Sequence, residues 1–299
     1  MDEKMDAFSL TTQTTLKNFR EIVEVKLQQK IDSFPNTGIL KEACAYSLLN
    51  EGKRFRPSLV FMIAEALNQK MDVSSAALAI ECFHTASLVA DDLPCMDDDD
   101  KRRNKPTVHK LYGETLALLT SYALIAEGYG AIAEGYRHYV SKKGENASIL
   151  ALALENAAFN TGLSGATGGQ YLDIFPPNLT QETLREVIHK KTTSLFEISF
   201  VFGWLFGGGD VTELSLVKAC ASHFGMAFQV ADDLGDVEQD LKNGRKINMA
   251  GVFGMETAKQ ILQKELAGYR DLLKKLHIAS PALLALAESL RVSFQNGNY

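Results

Sequence analysis

Residues 114–140 read ETLALLTSYALIAEGYGAIAEGYRHYV. This stretch decides the fold. It contains no proline and is rich in Ala, Leu and Glu, the residues that lose least on entering a helix. Gly128, Gly130 and Gly135 weaken it without breaking it, so the pattern predicts a long helix from Glu114 to about Val140. The same property extends outward. The chain has seven prolines, none between Pro106 and Pro176 and none between Pro177 and Pro281. Proline breaks helix interiors, so such tracts permit long helices. Strand-type alternation of Val, Ile and Thr is scarce. The expectation is an all-α chain of about ten helices, forming one domain over residues 1–299.

Local signals mark the boundaries. Helices are predicted over 8–30, 39–50, 57–67, 74–93, 147–174 and 212–237, with another opening near Thr180 and shorter ones after Lys246. Glu51-Gly52 closes one helix in the manner of a C-cap, and Pro57 suits the first turn of the next. Pro94 disfavours helical backbone at Leu93. Lys101–Thr107, Ser141–Asn146, Gly207-Gly208-Gly209 and Lys242–Lys246 read as connections.

The bulk properties exclude several classes. At 46% hydrophobic and 23% charged, the chain has a globular profile, neither disordered nor fibrous. Its net charge of -6 offers no basic footprint for nucleic acid. No run of 18 uncharged apolar residues is present, so no membrane anchor is expected. Four cysteines, Cys44, Cys82, Cys95 and Cys220, lack metal or redox spacing and lie among apolar residues. The N-terminus is acidic without an apolar core. A cytoplasmic location is the resulting expectation.

The acidic charge is concentrated. Asp91-Asp92-Leu-Pro-Cys-Met-Asp97-Asp98-Asp99-Asp100 follows an apolar helical stretch, with Ser87 and His84 on the face of Asp91. Carboxylates at a helix C-terminus oppose the macrodipole, by roughly 0.3–1 kcal/mol each. Crowding adds to that cost, and a hard divalent cation would relieve it. A solvated acidic loop is the plainer alternative. A second cluster, Asp232-Asp233-Leu-Gly-Asp236, also ends an apolar stretch. Asp232 and Asp236 share a helix face, with Gln229 one turn earlier. Cations accompany both: Gly52-Lys53-Arg54-Phe55-Arg56-Pro57, Arg102-Arg103, Lys190-Lys191-Thr192 and Arg245-Lys246. Acids that hold a metal beside Arg and Lys that grip phosphate oxygens suit a polyanion such as diphosphate.

In these residues the sequence resembles the trans-isoprenyl diphosphate synthases. The likeness runs from about Leu40 to Gly254. Gly52-Lys53-x-x-Arg56-Pro57 resembles the family's basic turn. His84, Ser87-Leu88 and Asp91-Asp92-x4-Asp97 resemble the first aspartate-rich motif, with Arg102-Arg103 the basic pair after it. Gly169-Gln170-x-x-Asp173, Lys191-Thr192, Phe228-Gln229-x-x-Asp232-Asp233-x-x-Asp236 and Lys246 follow in family order.

The resemblance implies an isoprenoid synthase helical bundle around a central cavity, both acidic motifs at its mouth. It implies Mg²⁺ bound by Asp91, Asp92, Asp97, Asp232 and Asp236. Those ions, with Arg102, Lys191 and Lys246, would hold an allylic diphosphate (dimethylallyl, geranyl or farnesyl). Gly52, Lys53, Arg56, His84 and Arg103 would receive isopentenyl diphosphate. Thr192 and Gln229 would present oxygens to the allylic cation. Asp91, Asp92, Lys191, Thr192, Gln229 and Asp232 are thus the catalytic candidates of a short-chain prenyltransferase, and a homodimer is implied. In the family, a bulky aromatic five residues before the first Asp favours a C15 product. Ala86, followed by Ser87, therefore favours geranylgeranyl over farnesyl diphosphate. The sequence departs from the family pattern at Gly235, at Ile247 and in the short loop from Asp236 to Lys246, which puts the role of Asp236 in question. A class I terpene cyclase is the first alternative, opposed by the basic turn and the second acidic motif. A non-catalytic subunit of a heteromeric synthase is the second, opposed by the retention of both acidic motifs.

Overall fold

The computed structural model describes residues 2–242 and 248–296, with side chains described for 14, 16–237 and 248–291. The described helices, in chain order, are α1 (Asp2–Asp32), α2 (Ile39–Leu49), α3 (Phe55–Ala66), α4 (Ser74–Asp91), α5 (Val108–Tyr112), α6 (Glu114–Lys143), α7 (Ala147–Thr161), α8 (Ala166–Ile174), α9 (Gln181–Ile188), α10 (Ser194–Phe206), α11 (Leu214–Lys242), α12 (Met249–Phe253), α13 (Met255–Lys275) and α14 (Pro281–Asn296). A π turn, His189–Thr193, joins α9 to α10. Lys101–Arg102 and Lys105–Pro106 form a two-stranded antiparallel ladder.

The all-α expectation holds, with fourteen described helices rather than about ten. The surplus comes largely from short helices such as α5, α8, α9 and α12. The single helix predicted over 147–174 is two, separated at Gly162–Gly165. Asn160 O lies 2.0 Å from where a Gly165 Cβ would stand. Only glycine permits the chain to fold back that closely. The loop predicted at 101–107 contains the small ladder. Helix α6 runs unbroken through its glycines, and α11 runs unbroken through Gly235. Tertiary packing overrides a propensity cost of about 1 kcal/mol per glycine.

Which helices are central follows from their patterns. Every residue of α10, Ser194–Phe206, is buried, as expected for a helix that is apolar all round. It packs against α3, α4, α7 and α11. Phe196, Phe200, Phe224 and Tyr269 form an aromatic centre in which neighbouring rings lie 5.1–6.2 Å apart. Helix α13 instead buries Ile261, Leu262, Glu265, Leu266, Tyr269, Leu272 and Leu273, one face at helical spacing, and it covers α11 from outside. A second cluster, with Val23, Leu27, Leu48 and Cys82, seals α1 and α2 onto α4. Helix α6 is long and apolar enough to cross a membrane by length and composition alone. One of its faces packs along α4, while Leu118, Leu119, Tyr122 and Ile125 are exposed.

A candidate active site between two acidic helix walls

An apolar cavity of about 370 Å³ runs between α4, α6 and α8, lined by Phe83, Ala86, Ser87, Ala90, Ile125 and Leu195 among others. Asp91 stands in its wall where α4 ends, beside Cys95, Met96 and Gln170. Small side chains at Ala86 and Ser87 leave the channel open, and Phe83 packs edge-on against Tyr129 behind them. Ser121 Oγ donates to Ala86 O at 2.8 Å, tying α6 to α4 at this level.

The two acids of the first motif diverge. Burial pushes the Asp91 carboxyl up to about 7, with the Asp97 and Asp92 charges adding while Lys191 and Arg102 oppose. Asp92 is buried on the other side, where Arg102 Nε donates to its Oδ1 at 2.7 Å. Arg102 also reaches Asp99 at 3.3 Å. Asp97 lies exposed at the mouth and accepts from Gln170 Nε2 at 3.4 Å.

The second motif repeats the division. Asp233 is buried and accepts from Gln229 Nε2 at 2.8 Å and from the Met249 backbone N–H at 2.7 Å. Asn248 Nδ2 donates to Asp233 O at 3.1 Å. Asp233 therefore anchors the chain entering α12. Asp232 is half-buried and acts electrostatically on Arg56, linking this wall to the basic turn. Asp236 follows one turn later on α11, which remains helical there.

The π turn bridges the walls. Lys191 Nζ pairs with Asp173 of α8 and senses Asp91 and Asp97 as further negative charges. Thr192 Oγ1 donates to Gln229 Oε1 at 2.8 Å, so a chain of hydrogen bonds runs from Thr192 through Gln229 to Asp233. Gly169 explains the glycine pair on α8: a Cβ there would lie 2.3 Å from Lys191 N. An inserted π turn at such a point re-aims side chains that a regular helix would bury.

The basic turn forms a second cradle. Arg56 lies over the Phe196 ring, 4.4 Å from its centroid, and burial lowers its pKa to about 10. Its Nη1 is 3.3 Å from His84 Nε2. His84 is held well below its ordinary pKa by burial and by the arginines around it, so it is neutral at pH 7. Arg56 Nε and His84 Nδ1 are buried without hydrogen-bond partners. Buried donors rarely stay unpaired, so these atoms are available to a ligand or to water. Arg103 Nη1 donates to Asn50 O at 3.2 Å, and Lys53 is exposed on the turn. Lys246 lies outside the described residues.

Among the described residues, no three Asp, Glu, His or Cys side chains converge to hold a metal unaided. The donor set still fits Mg²⁺. Asp91 and Asp97 supply hard oxygens, and the buried Gln170 Oε1 has no partner. Mg²⁺ commonly takes one or two carboxylates, then waters and substrate phosphate.

Motif spacing located these acids but gave no role to Arg54 or Asp99 and passed over Glu24 and Glu81; Glu24 and Glu81 hold Arg54, and Asp99 helps to hold Arg102. A signal was available. Glu81 is a lone acid within the apolar run 76–83, and a buried charge requires a buried partner.

The polyprenyl synthetase family model matches residues 37–250. A geranylgeranyl pyrophosphate synthase of Capsicum annuum is 39% identical over 67% of this chain, which spans 53% of that relative's length. A farnesyl diphosphate synthase of Bacillus subtilis is 32% identical over 90% of this chain and 88% of its own. Among solved structures, a geranyltransferase from Legionella pneumophila superposes with a TM-score of 0.81 at 26% identity, covering 95% of this chain and 98% of its own. With the matched stretch reaching from the loop before α2 into α12, across both acid-bearing helices, the chain belongs to the polyprenyl synthetase family.

Proposed function

We propose that this chain is a short-chain trans-prenyltransferase that joins isopentenyl diphosphate to an allylic diphosphate. One observation carries the reading: an apolar channel with an acidic mouth stands beside a basic cradle whose buried donors, Arg56 Nε and His84 Nδ1, have no partner. Two diphosphates and one hydrocarbon tail account for all three features. The names of the relatives support the same chemistry.

In this reading Lys191 and Arg102 bind the allylic diphosphate, with Lys246 completing the set. Asp91, Asp97 and Asp232, with Asp236 adjacent, would hold Mg²⁺, which would supply the remaining positive charge for the leaving diphosphate. The carbon–oxygen bond breaks with its electron pair going to diphosphate. Fixed charges in a water-poor cavity favour that separation strongly. Thr192 and Gln229 oxygens face the resulting cation. Lys53, Arg56, Arg103 and neutral His84 hold isopentenyl diphosphate so that its double bond meets the cation in line. The released diphosphate takes the departing proton. Asp92 and Asp233 act one step back, holding Arg102 and the start of α12.

The tail extends along the α4–α6–α8 channel. With Ala86 and Ser87 as its small wall, the channel favours geranylgeranyl over farnesyl diphosphate. Ala86→Phe is expected to shorten the product to C15, read by chromatography. Exclusive C15 from the unaltered enzyme would remove this part of the reading.

Residues 1–299 are read as one polyprenyl synthase domain. The exposed apolar face of α6, with Phe159 of α7 and Tyr171 and Phe175 of α8, supports a homodimer rather than a membrane anchor. Light scattering at micromolar concentration tests it. Four free thiols, three of them buried, suit a reducing cytoplasm. Turnover with Mg²⁺, isopentenyl diphosphate and each allylic starter tests the activity.

A further inference from the structure

Beneath the basic turn lies an ion-pair network that the proposed chemistry does not use. Arg54 stands between Lys53 and Arg56 yet turns inward. Its backbone is left-handed, φ 49° and ψ 36°, which is uncommon for a residue with a side chain. Its side chain is fully buried, at 0% exposure. Nε donates to Glu24 Oε1 at 2.7 Å and Nη1 to Glu81 Oε1 at 2.6 Å. Nη2 donates to Leu48 O at 2.7 Å, to Asn50 O at 3.2 Å and to Glu24 Oε2 at 3.3 Å. One guanidinium thus joins α1, α4, the end of α2 and the turn before α3.

Two observations connect this network to the cradle above it. Asn50 O also accepts from Arg103 Nη1, and Arg103 lies so close over the turn that a Gly52 Cβ would stand 2.4 Å from it. Glu81 precedes His84 by one helical turn, and its charge acts on Arg54, Arg56 and Arg103 alike. A single buried carboxylate is therefore the shared counter-charge of three arginines.

We propose that Arg54 and Glu81 are positioning residues for isopentenyl diphosphate. Arg54 locks the turn that carries Lys53 and Arg56. Glu81 holds the arginines together before their anionic ligand arrives. A cradle assembled in advance spends less binding energy on ordering itself. The inference rests on reading this cradle as the isopentenyl diphosphate half. The allylic side, with Lys191 on Asp173 and Arg102 on Asp92, hangs on other contacts, so the two halves separate experimentally.

The test is steady-state kinetics of Arg54→Lys, Glu81→Gln and Glu24→Gln, varying isopentenyl diphosphate and geranyl diphosphate in turn, alongside urea unfolding. For Arg54→Lys and Glu81→Gln, KM for isopentenyl diphosphate should rise roughly tenfold, while kcat and the allylic KM stay within about twofold. Glu24, 34% exposed, should give the same split at roughly threefold. It keeps the question answerable if the buried variants do not fold. Two unchanged KM values overturn the proposal. So does a parallel rise in both with lowered stability, which is what a merely structural role produces. Arg56→Ala separates the two levels. If it leaves KM for isopentenyl diphosphate unchanged, the reading of the cradle fails, and the proposal fails with it.

Discussion

The end of α4 and the later part of α11 carry similar letters, Asp91-Asp92 and Asp232-Asp233, and place them in similar ways. In each pair the first acid stands toward the site and the second is buried and bonded. The means differ. Asp92 is held by a cation, Arg102, at a point where the helix stops. Asp233 accepts from Gln229 Nε2 and the Met249 N–H, while α11 continues past it. The difference teaches that adjacent aspartates can take different surroundings. Asp91 lines the cavity while Asp92 pairs with Arg102, and Asp233 bonds to the start of α12.

The largest break in the comparison should come from the facing acids. Asp91→Ala is expected to lower kcat by about 100- to 1,000-fold, the scale of losing a preorganised electrostatic group, while folding is retained. Turnover near the unaltered rate would place the ligand elsewhere. Asp92→Asn tests the charged tie. Breaking a fully buried pair costs about 3–5 kcal/mol. Arg102 is 28% exposed, so roughly 2–3 kcal/mol is expected after discounting for solvent. Activity should fall through misplaced Arg102, raising the allylic KM more than the isopentenyl KM. Asp233→Asn tests the hydrogen-bonded tie to α12. An amide oxygen still accepts from Met249 N–H, so the loss at that tie should be about 1 kcal/mol. Denaturant unfolding of the pair checks the order, and Asp233→Asn proving the more damaging would invert the comparison.

A pH dependence is expected at the first wall. Burial raises the Asp91 carboxyl from 3.8 to about 7. A raised carboxyl means the folded chain retains a proton that the unfolded chain releases. The associated stability is present below about pH 4 and is lost as pH rises towards 7. Metal-free protein should therefore lose stability across that window, and Asp91→Asn should lose less. Identical unfolding profiles from pH 4 to 7 would contradict the buried placement of Asp91.

Much of this was legible before any coordinates. Proline spacing predicted long helices, and α6 and α11 run through their glycines. Of two acidic clusters separated by 141 positions, the second is tied to the π turn through Thr192–Gln229–Asp233, and Lys191 of that turn senses Asp91 and Asp97 of the first. What resisted reading has physical causes. The break at Gly162–Gly165 depends on a close backbone approach of Gly165 to Asn160, a fold-back that helix propensity alone does not announce. The divergence of Asp91 from Asp92 follows from which neighbour claims each side chain, and Arg102 arrives by way of a small ladder that carries no strand pattern. Arg54 reads as one more surface cation because its partners, Glu24 and Glu81, lie 30 and 27 residues away. Spacing locates the residues of a site; charge pairing within the fold decides which of them face it.

The central claim is that two diphosphates meet between these walls. The most direct measurement supplies purified enzyme and Mg²⁺ with geranyl diphosphate, with and without isopentenyl diphosphate, and sizes every product. The account predicts longer prenyl diphosphates only when isopentenyl diphosphate is present. A hydrocarbon formed from the allylic diphosphate alone, or no dependence on isopentenyl diphosphate, would contradict it.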